Sequence, residues 1–261
     1  MKETLYVIKI GGNVVDDTTL LTNCLASFAN VRGHAILIHG GGKMATSMAT
    51  SMGVEQKMID GRRITDAATL KIVTMVYAGY INKNIVAQLQ ALGVPAIGLS
   101  GVDANLMKAH KRIHSSIDYG YVGDIETVNT HMLIELLNKQ YKLVIAPITH
   151  DGKGQLLNTN ADSIAQSIAT ALASSYKVHL LYGFEKEGVL ENINDPSSVI
   201  LKMDRSYYTT LKNQKLIFEG MIPKMENAFE ALHKGVASVI IGKAEKMNEL
   251  MKGSSGTTIT L

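Results

Sequence analysis

The feature that most constrains this chain is an alternation: short runs rich in Val, Ile and Leu recur between helical patterns of ten or more residues. That order is the sequence sign of parallel strands joined by crossover helices. It predicts strands near 5–10, 35–39, 96–99, 143–148, 178–182, 238–241 and 257–261. Helices are predicted near 17–30, 43–52, 67–92, 130–139, 161–174, 223–234 and 244–251. The expectation is an α/β fold. Within 67–92, apolar residues at Leu70, Val73, Val76, Ile81, Ile85 and Leu89 run around much of the helix, which predicts burial on two sides and a dimer face.

Two segments break the alternation. "KMIDGRRIT" carries Asp60-Gly61, a hairpin signal, and "DYGYVGDIETV" reads as a second excursion of the same kind. Both are expected over one end of the sheet. Ligands of open parallel sheets bind beyond the carboxyl ends of the strands, so the loops that follow strands are where function is sought.

With 261 residues, 46% of them hydrophobic, the chain can form one large domain or two lobes sharing a sheet. Its 26 basic and 23 acidic residues leave +3, scattered rather than gathered into a basic stripe, which argues against nucleic acid as partner. Apolar runs are strand-length, and the first is interrupted by Lys9 and followed by glycines, unlike a signal peptide or a membrane span. A cytosolic protein is expected. The single cysteine, Cys24, reads as a small hydrophobe on a helix face.

Two successive strands end in glycine loops, "IKIGG" at Gly11-Gly12 and "LIHGGGK" at Gly40-Gly41-Gly42. Glycine lets the backbone approach a ligand and turn its N–H groups inward, and the second loop opens a helix whose N-terminus favours an anion. Lys9 places a charge in the strand before the first loop. The phosphate-binding lysine loop is not matched, because Gly42-Lys43 is followed by Met44. "GGGKMA" fits a dinucleotide pattern only loosely, since Asp60 falls in the Asp-Gly turn rather than at a strand end. "LLNTNAD" sets Asn158, Asn160 and Asp162 just ahead of a helix, where one member is a natural cap and the others offer donors, acceptors and a charge for lysines. "EGMIPK" puts Lys224 in the first turn of a helix, where a cation opposes the helix dipole and so suggests a nearby anion. His110 and His114 are four apart, but in a segment read as loop, and carry no metal reading.

Taken in order and at these intervals, Lys9-x-Gly11-Gly12, His39-Gly40-Gly41-Gly42, Gly61-Arg62-Arg63-Ile64-Thr65, Asn158-x-Asn160-Ala161-Asp162 and Gly220-Met221-Ile222-x-Lys224 resemble the amino-acid kinase family. Within it they look most like the branch that phosphorylates N-acetyl-L-glutamate. The resemblance runs from the first strand to Gly256-Thr257. It implies a three-layer αβα sandwich with a mostly parallel central sheet. Residues 1–172 would form an N-terminal lobe for the acyl-amino acid and for dimerisation, and 173–261 a C-terminal lobe for ATP.

The resemblance further implies transfer of the γ-phosphoryl group of ATP to the side-chain carboxylate of N-acetylglutamate, a step of arginine biosynthesis. Lys9, Lys224 and Asp162 would be catalytic, with Gly11, Gly12, Gly41 and Gly42 as phosphate and transition-state loops. Gly41, Gly42, Arg63, Asn158 and Asn160 would bind the acyl-amino acid. Gly183, Phe184, Glu185, Met221 and Lys224 would bind ATP, whose Mg2+ would sit mainly on nucleotide phosphates. Arginine-inhibited relatives carry an extra N-terminal helix, whereas only Met1 to Thr4 precede the first strand here, so an arginine-insensitive homodimer is expected.

This chain departs from the family pattern in two places. Gly183-Phe184-Glu185-Lys186 stands where the family often carries Ser or Thr, Asp, Val and Gly, which leaves the adenosine contacts open. Arg62 stands where many relatives have an apolar residue, which keeps N-succinyl-L-glutamate open as the substrate. A silent, small-molecule-sensing member is the remaining alternative, and the presence of Lys9, Asp162 and Lys224 argues against it.

Overall fold

The computed structural model describes residues 2–59, 62–192, 195, 198–214, 216 and 222–261. In chain order the strands are β1 (Thr4–Ile10), β2 (His34–His39), β3 (Met58–Ile59), β4 (Arg62–Arg63), β5 (Ala96–Ser100), β6 (Met107–Lys111) and β7 (Val122–Val128). They continue with β8 (Lys142–Ala146), β9 (Ile148–His150), β10 (Leu156–Thr159), β11 (Lys177–Phe184), β12 (Lys202–Met203), β13 (Ser238–Lys243) and β14 (Thr257–Ile259). The α-helices are α1 (Gly12–Asp16), α2 (Thr18–Ala29), α3 (Gly42–Ser51), α4 (Ala67–Thr74), α5 (Asn82–Ala91), α6 (Thr130–Asn138), α7 (Ala161–Leu172), α8 (Arg205–Asn213), α9 (Ile222–His233) and α10 (Met247–Lys252).

Eight strands form the central sheet in the order β12-β14-β13-β11-β1-β2-β8-β5, parallel except where β13 meets β14. Its middle strands carry Val, Ile and Leu on both faces because helices cover both; β2 is buried at every position. One hydrophobic cluster packs α6, α7, α8 and α9 against one face, and a second packs α2, α3, α4, α5 and α10 against the other. The result is the αβα sandwich expected. Asp17, Asp66, Asn129, Asn160 and Asp204 accept first-turn N–H groups of α2, α4, α6, α7 and α8, which fixes where these helices begin.

The structure corrects the sequence reading in four places. The run 143–148 is two strands, because Pro147 lacks the N–H needed to continue β8 and the chain turns there into β9. The strand β9 joins β10, β7 and β6 in a small closed sheet beside the main one. His110 accordingly lies on β6 rather than in a loop, facing Glu126 at 3.3 Å. The helix over 67–92 is interrupted by a π-helical segment at Met75–Ile81, a widening to which apolar periodicity is insensitive. The elements α1, α8 and β12 were also not anticipated.

The first hairpin is present, with Met58 opposite Arg63 and Ile59 opposite Arg62; its Asp60-Gly61 turn lies outside the described residues. In the second excursion, β7 pairs with the upstream β6 across an intervening loop.

Candidate active site

The strands β2, β1 and β11 lie side by side and end together, so Lys9, the two glycine loops and Phe184 meet at one edge of the sheet. The loops are laced to each other by backbone. Gly11 N–H donates to Gly183 O at 3.2 Å and Gly40 N–H to Ile10 O at 3.0 Å. A Cβ on Gly12 would stand 3.5 Å from Gly42 N and 3.7 Å from Gly41 N, so the two loops face each other across a space that only small groups leave open. Gly41 has φ of 149°, and a Cβ there would come within 2.3 Å of Ile81 Cδ1 on the π-helical segment. Glycine is therefore required at this position twice over, by conformation and by room.

Two cavities open at this edge and share Lys9, Gly12, Gly42, Met58 and Arg63. The larger, of about 940 Å³, runs between Gly11, Gly12, Lys43 and Thr46 on one side and Phe184, Leu190, Leu216 and Lys224 on the other. The smaller, of about 220 Å³, is walled by Gly40, Gly41, Arg62, Tyr77, Arg112, Pro147 and the Asn158-Thr159-Asn160-Ala161-Asp162 run. An elongated ligand could thus lie in the first with its end at Lys9, and a compact one in the second.

Lys9 Nζ pairs with Asp162 Oδ1 at 2.8 Å, with side chains 14% and 27% exposed. The contact is ionic rather than a directed hydrogen bond, since Oδ1 is buried with no donor aligned on it. Lys224 projects from the first turn of α9 with Nζ 4.6 Å from the centre of the Phe184 ring. Burial holds the Lys224 ammonium below its usual value; Asp162 and Glu185 pull it back up, while Lys9 pushes the same way as burial. Lys9 and Lys224 thus bring two cations to the mouth of the larger cavity, with Asp162 and Glu185 as their acidic neighbours.

Asn160 uses Oδ1 to accept the N–H groups of Asp162 and Ser163, at 2.8 and 3.1 Å, and so caps α7 while also lining the smaller cavity. Asn158, on β10, donates Nδ2 to Thr65 Oγ1 at 3.0 Å. Arg63 is buried on β4 and donates Nη2 to Gly42 O at 2.8 Å and to Thr46 Oγ1 at 2.9 Å, and Nη1 to Gln56. The Tyr77 side chain is hydrogen-bonded to the same guanidinium, so of its five N–H groups few are left for a ligand. Arg62 points the other way and is exposed, as alternation along a strand requires, yet still borders the smaller cavity.

The expected residues therefore converge, with two exceptions. Gly183 lies beneath the first loop, where it accepts Gly11 N–H, and is not among the residues that line the larger cavity. Met221 falls outside the described residues. Sequence reasoning did not find Arg112, which reaches the smaller cavity from the loop after β6 while held by Asp124, nor Gln56, Tyr77 and Leu190. No local spacing marks these residues; only the packing of distant segments brings them in. Asp16 was also missed: it accepts Met44 N–H and lies near Lys43, tying α1 to α3, and burial raises its carboxyl above the usual range against the pull of Lys43.

A family model described as the amino acid kinase family matches residues 4–243. The acetylglutamate kinase of Cytophaga hutchinsonii is 51% identical over 250 residues, covering 95% of each chain. That of Phocaeicola vulgatus is 51% identical over 259 residues, covering 99% of each, and that of Methanopyrus kandleri is 37% identical over 249 residues, covering 94% of this chain and 97% of the other. Among solved structures, N-acetylglutamate synthase from Neisseria gonorrhoeae, complexed with coenzyme A and N-acetyl-glutamate, superposes with a TM-score of 0.83 at 21% identity. The match covers 99% of this chain but only 59% of the synthase chain. Carbamate kinase from Giardia lamblia bound to AMP-PNP gives 0.69 at 13% identity, covering 99% and 98%. At such identities the structural likeness is one of fold.

Proposed function

The chain belongs to the amino acid kinase family, and from that premise we propose that it is an acetylglutamate kinase, moving the γ-phosphoryl group of ATP onto the side-chain carboxylate of N-acetylglutamate. The observation that carries this reading is the meeting of two cavities at Lys9, Gly12 and Gly42, one of about 940 Å³, with volume for a nucleotide, and one of about 220 Å³, with volume for an acylated amino acid.

The acceptor's side-chain carboxylate has a reference pKa of about 4.3 and is already ionised near neutrality, so the reaction needs no general base. It needs aim and positive charge, since phosphoryl transfer is catalysed mainly by positioning and by stabilising charge on the transferring oxygens. Lys9 and Lys224 would flank those oxygens, with Asp162 holding the first by its ion pair and drawing the second toward it. The N–H groups at Gly12 and Gly42 would donate to them. Arg63 would present its remaining N–H groups to the α-carboxylate, and Asn158 would meet the same region. Asn160 would act chiefly through the helix that carries Asp162.

ATP would occupy the larger cavity, with Phe184, Glu185 and Leu190 along its length. Mg2+ would be carried mainly by the nucleotide phosphates and water. When bound, that ion would neutralise charge on the β- and γ-phosphates. The smaller cavity is lined wholly from residues 9–162, which supports an acyl-amino-acid lobe over 1–172; the larger draws on residues 9–63 as well as 184–224, so ATP would lie between that lobe and 173–261.

The product is an acyl phosphate, so hydroxylamine in the assay should convert it to a hydroxamate in step with ADP release. ADP released from acetylglutamate and ATP without any hydroxamate would contradict transfer to the carboxylate.

A second reading has one observation in its favour: Arg62 borders the smaller cavity beside Arg63. A second carboxylate on the acyl group, as in N-succinylglutamate, would find its counter-charge there. A charge-assisted bond of about 1.5–3 kcal/mol would shift preference by more than tenfold. On that reading kcat/KM for the succinyl substrate exceeds that for the acetyl one and Arg62→Leu reverses the order; equal or better use of acetylglutamate removes it.

A further inference from the structure

His39 and Asn82 lie outside both cavities, and the chemistry above does not use them. Yet both are polar and almost wholly buried, at 0% and 1% exposure. A buried polar side chain is costly unless it is hydrogen-bonded, so what these two bond to is informative.

His39 is the last residue of β2, and its Nδ1 lies 2.8 Å from Gly40 O, the carbonyl that opens the second glycine loop. A carbonyl only accepts, so Nδ1 carries the proton and Nε2 of the neutral ring is left as an acceptor. Asn82 Nδ2 faces that Nε2 at 3.4 Å. The same Nδ2 donates to Val144 O at 3.0 Å and reaches Leu99 O at 3.4 Å, so one side chain from α5 holds on to β2, β8 and β5 together. The place is made for it: a Cβ on Gly98 would fall 2.1 Å from Asn82 Oδ1. Burial pushes the His39 imidazole down to about 4, in keeping with the neutral form this network needs.

In a trans peptide the C=O and the following N–H point in opposite directions. Holding Gly40 O therefore fixes the direction of Gly41 N–H and, through it, the start of α3 at Gly42. Gly40 N–H is held as well, by Ile10 O at 3.0 Å. No other described contact holds the Gly40 carbonyl, and the glycine after it brings no side chain to hold it by.

We infer that His39, oriented by Asn82, is a positioning residue for phosphoryl transfer: the pair fixes the Gly40-Gly41 peptide so that the loop amides are aimed before substrate arrives. The inference rests on the reading of this loop as part of the phosphoryl site. Preorganised donors act on the transition state more than on ground-state binding, so the loss should appear in kcat. Asn places its amide nitrogen about where Nδ1 of His stands, so His39→Asn keeps the donor; His39→Leu removes it.

The test measures kcat and both KM values for the two variants, with ATP and acetylglutamate. His39→Leu should lose roughly tenfold or more in kcat with each KM changed by less than about threefold, and His39→Asn should recover most of the loss. Equal loss in the two variants, or a His39→Leu enzyme with kcat within about threefold of the parent, overturns the inference. An unmodified enzyme inactive on acylglutamates would overturn the kinase reading instead. If His39→Leu does not fold, 15N-histidine NMR of the unmodified protein decides, with the His39 signal assigned by its absence from the His39→Asn spectrum. A neutral, Nδ1-protonated ring that does not titrate between about pH 6 and about pH 8 is expected, and an Nε2-protonated or titrating ring overturns the inference.

Discussion

Lys9 and Lys224 are both cations at the cavity mouth, but their surroundings differ and so should their signatures. Replacing either by Met keeps the apolar stem and removes a charge opposite the transferring oxygens, so kcat should fall by roughly two orders of magnitude or more. KM should change far less, and steady-state kinetics on both variants checks this. Burial pulls the Lys224 ammonium down. Because its charged form is the useful one, a lowered value means that activity is lost on the alkaline side at a lower pH than the usual lysine value of about 10.4. Lys224→Arg stays charged throughout and should remove that alkaline limb of kcat, even if its absolute rate is lower. A limb unchanged by the substitution would assign it to another group. At this scale the sequence was informative wherever a residue type contradicted its setting: a lysine inside a buried strand, a lysine in the first turn of a helix. It was silent on Arg112 and Gln56, and it gave His39 only as the start of a glycine-loop motif, with nothing on its bond to Gly40 or its contact with Asn82, which arise once distant segments pack together.

The elements that carry the site do so by their ends. The start of α7 is the clearest case, since Asn160 caps it with two hydrogen bonds and Asp162 sits two residues on, paired with Lys9. Asn160→Ala should therefore cost about 1 kcal/mol of stability, read in denaturant melts. It should also lower kcat by loosening the Asp162 carboxylate, whereas Asn160→Ser, which keeps a capping oxygen, should restore the stability. Unchanged stability in Asn160→Ala would mean that the cap is not what anchors this helix end. Strand positions were legible because buried parallel strands leave unbroken Val/Ile/Leu runs, and β1, β2, β11 and β13 fall close to where those runs lie. The small closed sheet was not, because β6 (Met107–Lys111) is short with Lys108 and His110 on one side, β10 (Leu156–Thr159) has only four residues, and both are given meaning only by their partners. The π-helical turn at Met75–Ile81 was hidden for a different reason: a run with apolar residues around much of its circumference has no clean period to break.

The whole molecule leaves Met75 and Tyr80 of that π-helical segment 53% and 63% exposed, on the helix whose sequence predicts a dimer face. The homodimer proposed for this chain should use it. Tyr80→Glu would place a charge in the middle of such a contact and should shift the mass measured by light scattering from dimer toward monomer at micromolar concentration. A dimer indifferent to Tyr80→Glu would move the interface elsewhere. Family and fold were readable from five motifs in register, because each is short, contiguous and tied to backbone geometry that few other residues permit. Which acyl group the enzyme prefers was not readable, since Arg62 on β4 and Arg112 from the loop after β6 reach the smaller cavity from segments far apart in sequence.

Phosphoryl transfer from ATP to an acylated glutamate is read most directly as ADP release, coupled to a spectrophotometric signal, across acetylglutamate, succinylglutamate, glutamate, aspartate and UMP as acceptors. Turnover with an acylated glutamate, acetylglutamate first among them, and little with the free amino acids or the nucleotide is the predicted result. Activity confined to UMP, or turnover on free glutamate matching that on acetylglutamate, would contradict it.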